Sequence, residues 1–176
     1  MAIYSLEENI PKIKNNCFIA DSAQVIGRVS IGEHSSLWFN VVARGDVNQI
    51  TIGKNTNIQD LTMLHVIEDI PLIIGDGVSV GHNAILHACT VEDNCLIGMG
   101  AIVLDGAVIG KNSVVAGGSV VPPGKSFPAN SMIMGSPAKV VRPLREDEIK
   151  QYGQHYLSYV ETKNAYLKDG ALKRLD

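Results

Sequence analysis

The chain has 176 residues, enough for one domain with a buried core, and its formal net charge is −3 at pH 7. This charge argues against a nucleic-acid binder, because phosphate recognition needs clustered Lys and Arg. No apolar run is long enough to span a bilayer, and the N-terminus lacks the pattern of a signal peptide. The three cysteines form no CxxC pair, so we expect reduced thiols and a cytoplasmic protein without a membrane or nucleic-acid partner.

Aliphatic residues recur at every sixth position through most of the chain. The series starts at Ile19, restarts at Ile52, resumes at Ile74 after a short insertion, and is unbroken from Val91 to Ile133. A period of six is neither the 3.6 of a helix nor the 2 of a single strand. Gly, Asn and Asp lie near the expected bends, which favours short strands joined by tight corners.

Three such hexads make one triangular coil, and coils stack as parallel strands about 4.8 Å apart. No single rung can bury its inner face, so stacking supplies the core. This pattern resembles the hexapeptide-repeat family, whose members are left-handed parallel β-helices. The left hand follows from the resemblance alone, because the general rule for parallel crossovers predicts the opposite hand. We therefore expect an all-β triangular prism over residues 13–138, within a single domain of residues 1–176.

The sequence changes character after residue 138. Pro143 is a residue type that can open a helix, and Gly170 is a plausible stop. Between them, apolar residues follow helical spacing at Ile149, Tyr152, Tyr156, Val160 and Leu167. We predict one amphipathic helix over residues 144–168, packed on the outside of the prism.

Two histidines, His82 and His87, lie five residues apart in the repeat region. His82 is third in one hexad and His87 is second in the next, so a corner separates them. Five nearly extended residues span roughly 16 Å, whereas Zn–N bonds are only about 2.0–2.1 Å long. We expect that these two side chains do not share one metal ion within a single chain.

A third histidine, His65, is also second in its hexad, 22 residues before His87. That separation is one coil plus a four-residue insertion, so the two should stack on adjacent rungs, close enough to converge on one metal. His82 would then come from a neighbouring molecule, which favours a homotrimer with metal sites at its interfaces. The alternative is that His65, His82 and His87 are unconnected surface histidines. For His34 and His155, we expect an ordinary surface role.

The ordered motifs of the chain resemble those of the γ-class carbonic anhydrases over nearly its whole length. They are ARGD at 43–46, NIQD at 57–60, LH at 64–65, GHNAILH at 81–87 and GSPAKVVR at 135–142. The resemblance implies that His65, His82 and His87 bind zinc, with Fe2+ or Co2+ also possible, since imidazole ligands suit several divalent metals.

The same resemblance implies roles for the residues around the metal. Arg44 and Asp46 would form an ion pair that supports the trimer interface, with Asn57 and Asp60 nearby. Gln59 would lie beside the metal-bound water and orient it or the substrate. For Arg44 and Asp46 an ordinary surface pair is the alternative, and for Gln59 a solvated position.

The implied reaction is the hydration of carbon dioxide to bicarbonate by a metal-bound hydroxide. The released proton needs a shuttle. Val47 stands where the most active members of the class have a glutamate, so we expect weak activity, with Glu68 as a candidate shuttle. Tyr159 could lean from the helix over the site, with core packing as its alternative role.

Three other functions remain open from the sequence. A hexapeptide-repeat acyltransferase would use an acyl-CoA donor and a single histidine base. A CoA-thioester hydrolase would use the same metal site, and a trimeric assembly protein would bind metal with little catalysis. Metal analysis distinguishes the acyltransferase from a carbonic anhydrase. A hydration assay distinguishes the assembly protein from a carbonic anhydrase.

Overall fold

The computed structural model describes residues 2–173 and 175, and over these residues it contains twenty strands and two helices. Most strands are two or three residues long, as expected for hexads that turn a corner after each strand. The strands are β1 (Ala2–Tyr4), β2 (Lys12–Ile13), β3 (Phe18–Ile19), β4 (Gln24–Ile31), β5 (Ser36–Leu37), β6 (Val42–Ile52), β7 (Asn57–Ile58), β8 (Met63–His65), β9 (Leu72–Ile74), β10 (Ser79–Val80), β11 (Ile85–His87), β12 (Thr90–Val91), β13 (Leu96–Ile97), β14 (Ile102–Val103), β15 (Val108–Ile109), β16 (Val114–Val115), β17 (Val120–Val121), β18 (Ser126–Phe127), β19 (Ser131–Gly135) and β20 (Ala138–Pro143).

The strands form a parallel β-solenoid of about seven turns with three faces. The first face runs from β3 through β5, β7, β10, β13 and β16 to β19, and β20 closes it as an antiparallel partner of β19. The long strands β4 and β6 continue around one corner and so join the other two faces. The second face contains β8, β11, β14 and β17, and the third contains β9, β12, β15 and β18. The predicted all-β class and parallel β-helix are confirmed.

The interior is filled by the aliphatic residues of the six-residue period. On the second face, Leu64, Leu86 and Val103 pair in register and are fully buried. At several corners an asparagine takes the left-handed conformation that its short polar side chain tolerates, as at Asn83 with φ 57° and Asn94 with φ 57°. The predicted inner positions are therefore correct, and the corners follow from the Asn and Gly spacing.

The predicted insertion forms a small hairpin between β8 and β9. Ile67 and Ile70 pair across its tip in an isolated antiparallel bridge. The Asn48 side-chain amide donates to the carbonyl oxygens of Ile67 at 3.2 Å and Glu68 at 2.8 Å. This anchor fixes the hairpin beside the corner of β6.

The helical region predicted over 144–168 is confirmed, with two differences in detail. It consists of α1 (Glu146–Gly153) and α2 (Tyr156–Tyr166). It begins later than predicted because Pro143 is the last residue of β20 and pairs with Ser131. Gly153, a poor helix former, precedes the break between the helices. Neither helix is long and apolar enough to cross a bilayer, over the residues that the structure describes.

An aromatic cluster fastens α2 to the first face. The Trp38 ring lies 5.0 Å from Phe18, 5.7 Å from Tyr159 and 5.1 Å from Tyr166, measured between ring centroids. Tilted and edge-on packing of this kind adds to the burial of apolar area. The cluster holds Tyr159 on the first face, next to the corner that carries His82.

Candidate metal centre

Arg44, His65 and His87 form a column on the outside of the second face. Arg44 pairs in register with His65, and His65 pairs with His87. Each follows a buried residue of its strand, and because side chains alternate across a strand, the three point outward. The prediction that His65 and His87 stack on adjacent rungs is correct.

One ring nitrogen of His65 points toward one ring nitrogen of His87. His65 Nδ1 lies 3.0 Å from His87 Nε2. The remaining nitrogens each contact a carboxylate: His65 Nε2 lies 3.0 Å from Asp46 Oδ1, and His87 Nδ1 contacts Asp105 Oδ1. We call Arg44, Asp46, His65, His87 and Asp105 the paired-histidine group.

This arrangement fixes which ring nitrogens carry a lone pair. An ionised carboxylate only accepts hydrogen bonds, so the nitrogens that face Asp46 and Asp105 are the protonated ones. In two neutral rings, His65 Nδ1 and His87 Nε2 then point lone pairs at the same space. Such a gap suits a cation.

The donor set fits a divalent metal. Two nitrogens on one tetrahedral zinc lie about 3.3 Å apart when each Zn–N bond is about 2.0–2.1 Å, close to the observed separation of 3.0 Å. Histidine ligands of metals usually donate their second ring N–H to a carboxylate or carbonyl, as both rings do here. In residues 2–173 and 175, no three His, Cys, Asp or Glu side chains cluster closely enough to hold a metal on their own.

Asp46 is held from several sides. Arg44 pairs with its carboxylate, as predicted, and the backbone N–H of Val47 donates to Oδ1 at 3.0 Å. Burial works to raise the pKa of Asp46, but the hydrogen bonds from His65 and Arg44 outweigh it and lower the pKa below its ordinary value. Asp46 is therefore an ionised acceptor for His65.

His82 lies apart from this column, in the corner between β10 and β11. Its Nδ1 is 2.9 Å from Asp60 Oδ2, while Asp60 Oδ1 accepts the backbone N–H of Phe39 at 3.2 Å. The contact with Asp60 leaves Nε2 as the nitrogen available to a ligand. We call His82 and Asp60 the corner group. All three predicted ligands thus have one ring nitrogen engaged by an aspartate, a feature that the sequence reasoning missed.

Gln59 and Asn57 lie in a buried polar network under α2. Gln59 is 2% exposed, and its amide donates to Asn57 Oδ1 at 3.0 Å. Asn57 donates to Ser79 Oγ at 2.8 Å, and Ser79 Oγ lies 3.2 Å from His155 Nδ1. Gln59 is therefore not solvated, and its predicted role in orienting a water stays a prediction. His155, expected to be an ordinary surface residue, helps to fix α2.

The remaining predicted residues lie around these groups. Glu68 is exposed at the tip of the hairpin, and Val47 is 47% exposed. Tyr159 packs against the core, and burial, followed by the charge of Asp60, raises its pKa above the ordinary value. This packing matches the alternative role for Tyr159, while the influence of Asp60 places the phenol near the corner group.

Two buried cysteines have a structural role. Cys89 and Cys95 are buried, and burial raises the pKa of each thiol to about 12. Such thiols stay protonated and serve as small core residues. They offer no thiolate to a metal.

The repeated hexads and the solenoid define a hexapeptide-repeat protein, and the family described as "Bacterial transferase hexapeptide (six repeats)" matches residues 88–123. A "Probable carbonic anhydrase" of Methanocaldococcus jannaschii is 51% identical, over 88% of this chain and 99% of the relative. A "Carbonic anhydrase" of Geobacillus kaustophilus is 49% identical, over 94% and 91%. The chain belongs to the γ-class carbonic anhydrase family.

A solved structure shares the same fold. The "hexapeptide transferase family protein" of Anaplasma phagocytophilum superposes with a TM-score of 0.90 at 38% identity, covering 94% of this chain and 98% of that one. Proteins of this shape thus carry names from two reaction classes, hydration and acyl transfer.

Proposed function

We propose that this chain is a γ-class carbonic anhydrase that hydrates carbon dioxide to bicarbonate at zinc sites between the subunits of a homotrimer. His65 and His87 of one subunit and His82 of the next would be the ligands. The observation that carries the proposal is the pair of facing nitrogens 3.0 Å apart, each ring backed by an aspartate. The family membership supports the same reaction.

A partly exposed apolar column beside the histidines supports the trimer. Its members occupy one outward position on successive rungs of the second face, and Met63 and Ile85 are 36% and 38% exposed. Contiguous apolar residues that are exposed or partly exposed commonly mark an interface. The residues of this apolar column are Val42, Met63, Ile85, Ile102 and Val120. A second copy seated here would bring a corner group to the paired histidines.

The protein's own residues would orient and charge the site. Zinc, when bound, supplies the Lewis acidity that brings the pKa of a water ligand to about 7. Asp46, Asp105 and Asp60 hold the three rings in the tautomer that offers a lone pair. Arg44 keeps Asp46 ionised, and Gln59, next to Asp60 in the chain, remains a candidate for orienting water or substrate.

The proton released by hydration must leave the site. Val47 is apolar and carries no proton. Glu68 follows His65 by three residues, on a hairpin that Asn48 anchors, so it is the candidate relay from this chain. A single exposed carboxylate, or buffer alone, would then limit the rate.

Stopped-flow hydration of carbon dioxide tests the proposal. The protein is stripped with a chelator and reloaded with Zn2+, with Co2+, or with Fe2+ under exclusion of oxygen. We expect the rate to follow metal content, with about one metal per subunit, and to fall to background in His82→Ala. Fully loaded protein that is no faster than stripped protein would contradict the proposed activity.

Acyl transfer is the second candidate, because the Anaplasma structure with the same fold is described as a transferase. A transferase with one histidine base needs no metal. Stripped protein that transfers an acetyl group from acetyl-CoA to an amine would favour this function. Release of free CoA by the metal-loaded form alone would favour a thioester hydrolase at the same site. Metal binding with neither reaction would favour an assembly role.

A further inference from the structure

We propose that Asp105 is a positioning residue, which holds His87 in the orientation and tautomer that a divalent metal needs. The proposal rests on the metal site of the proposed function. It assigns a role to a residue that lies 18 positions after His87 and belongs to the next rung of the solenoid. It also predicts that this carboxylate strengthens the affinity for a dication.

The backbone around Asp105 is fixed on both sides. The carbonyl oxygen of Asp105 accepts the N–H of Gly124 at 2.8 Å, from the rung beyond. The N–H of Gly106 donates to the Ala88 carbonyl at 2.7 Å, from the rung before. Gly106 has a φ of 68°, which a residue with a side chain rarely adopts. The corner therefore presents the carboxylate to His87 from a rigid support.

The two carboxylates of the paired-histidine group differ in their charge balance. Arg44 neutralises Asp46, and a backbone N–H also binds it. The side chain of Asp105 has His87 as its one hydrogen-bond and ion-pair partner among the described residues. Arg44 cancels Asp46, so with neutral imidazoles Asp105 leaves the group with one negative charge. An uncompensated charge beside the facing nitrogens favours a dication there.

The same contact decides where the lone pair of His87 points. An acceptor at Nδ1 keeps the proton on that nitrogen and leaves Nε2 free toward His65. Without Asp105, the other tautomer would place an N–H in the gap and compete with the metal. Loss of the carboxylate therefore weakens binding in two ways, through charge and through the tautomer.

The test compares zinc affinities of the full-length protein by competition with a chromophoric chelator. We expect Asp105→Ala to bind zinc about 10 to 100 times more weakly than the parent, with Asp105→Asn in between, since its amide oxygen still accepts from His87. Asp69→Asn is the matched control. Asp69 is exposed on the hairpin that follows β8, and among the described residues it makes no hydrogen bond or ion pair with a histidine. The variant removes one negative charge, and its zinc affinity should stay within about twofold of the parent.

A second readout separates positioning from general stability. In proton–nitrogen spectra of histidine-labelled protein, the His87 Nδ1–H proton should be strongly deshielded in the parent and less deshielded in Asp105→Asn. In Asp105→Ala the signal should be lost. Melting temperatures of the stripped variants identify any folding defect. A folded Asp105→Ala that keeps parental zinc affinity, or keeps the His87 signal, overturns the proposal while leaving the proposed function intact. A parent that binds no zinc overturns both.

Discussion

His65 and His87 stand in direct register on adjacent rungs, yet each ring is held by a carboxylate from a different rung of the solenoid. Asp46 belongs to the rung before His65, and Asp105 to the rung after His87. The pair is thus clamped from both ends along the solenoid axis. If the pair binds a metal as proposed, its ligands are held in place before binding, which reduces the ordering cost.

Mixing two defective variants tests whether the site is shared between subunits. His65→Ala and His82→Ala should each bind little metal as pure trimers. In random mixed trimers, an interface is complete when one chain supplies His65 and His87 and its neighbour supplies His82, so about a quarter of the interfaces should regain metal. The chains are mixed at equal amounts after dissociation, and metal per subunit is measured.

His34→Ala is the control for this experiment, because His34 is an exposed residue in another corner. It should bind metal like the parent. If the mixture never binds more than its separate components, the ligands do not combine across subunits.

The apolar column predicts a variant that breaks the proposed trimer without unfolding the solenoid. Ile85→Glu places a charge in an outward position of the proposed interface, where burial of an unpaired carboxylate is costly. Light scattering should show monomers with an unchanged circular dichroism spectrum. Metal affinity should fall with the trimer, because His82 of the neighbour is lost.

Ile73→Glu provides the matched control for Ile85→Glu. Ile73 occupies the corresponding outward position of the third face and is 42% exposed, close to the 38% of Ile85. This variant should remain trimeric and bind metal. Monomers from both variants, or from neither, would argue against an interface on the second face.

The contacts of Glu148 predict how acid affects the stability of the fold. Its hydrogen bond with Arg142, together with the N–H of Arg145, lowers its pKa from 4.5 to about 2. A carboxyl whose pKa is lower in the folded chain than in the unfolded chain stabilises the fold at pH values above its unfolded pKa. This contribution is complete above about pH 4.5 and disappears as the pH falls toward 2. Glu148→Gln should therefore lower the melting temperature at pH 7 and lessen its decline in acid.

The control for Glu148 lies in the same helical turn. Glu146 is exposed and pairs with no basic side chain in the part of the chain that the structure describes. Thermal melts of Glu146→Gln between pH 7 and pH 3 should follow the parent. Equal acid profiles for Glu148→Gln and the parent would show that the ion pair does not set this dependence.

The register of the site was accessible from the sequence because a strict six-residue period can be counted. Counting hexads places His65 and His87 on adjacent rungs and His82 beyond a corner, as the structure has them. Asp105 escaped this count because one residue drops out of the period after His87. The inward partners Leu86 and Val103 are 17 residues apart, so the corner that carries Asp105 comes one residue earlier than an 18-residue coil would put it.

The bounds of the C-terminal helices were harder to predict from the sequence, for a physical reason. Tertiary contacts decide where these helices begin and end. Residues 138–143 were expected only to lead into the helix. They pair with β19 instead, because the edge of the sheet has unpaired backbone groups there. Gly153 was the one local sign of the break before α2. The contact of His155 with Ser79 joins residues 76 positions apart, and no periodic pattern predicts it.

The apolar side chain of Val47 leads to a prediction about which step limits the proposed hydration of carbon dioxide. The side chain is 47% exposed beside Asp46, and the next residue, Asn48, anchors the hairpin that carries Glu68. A carboxylate at position 47 would therefore lie between the paired-histidine group and solvent, where a proton must travel. In the parent, Glu68 or an external buffer has to take the proton, so turnover should rise with the concentration of a small imidazole buffer. Val47→Glu should raise turnover in weak buffer and reduce that dependence, with unchanged metal content because residue 47 is not a ligand.

Val47→Gln separates proton transfer from polarity at the same position. Glutamine has nearly the shape of glutamate but does not exchange a proton near neutral pH, so its turnover should stay at the parental level in weak buffer. Glu68→Gln should lower turnover in weak buffer and be rescued by added imidazole. Stopped-flow rates at fixed pH and ionic strength, with metal content measured for each variant, provide the comparison. If the parental rate ignores buffer concentration and Val47→Glu matches Val47→Gln at full metal loading, proton transfer does not limit the reaction, and the metal-binding assembly role gains support.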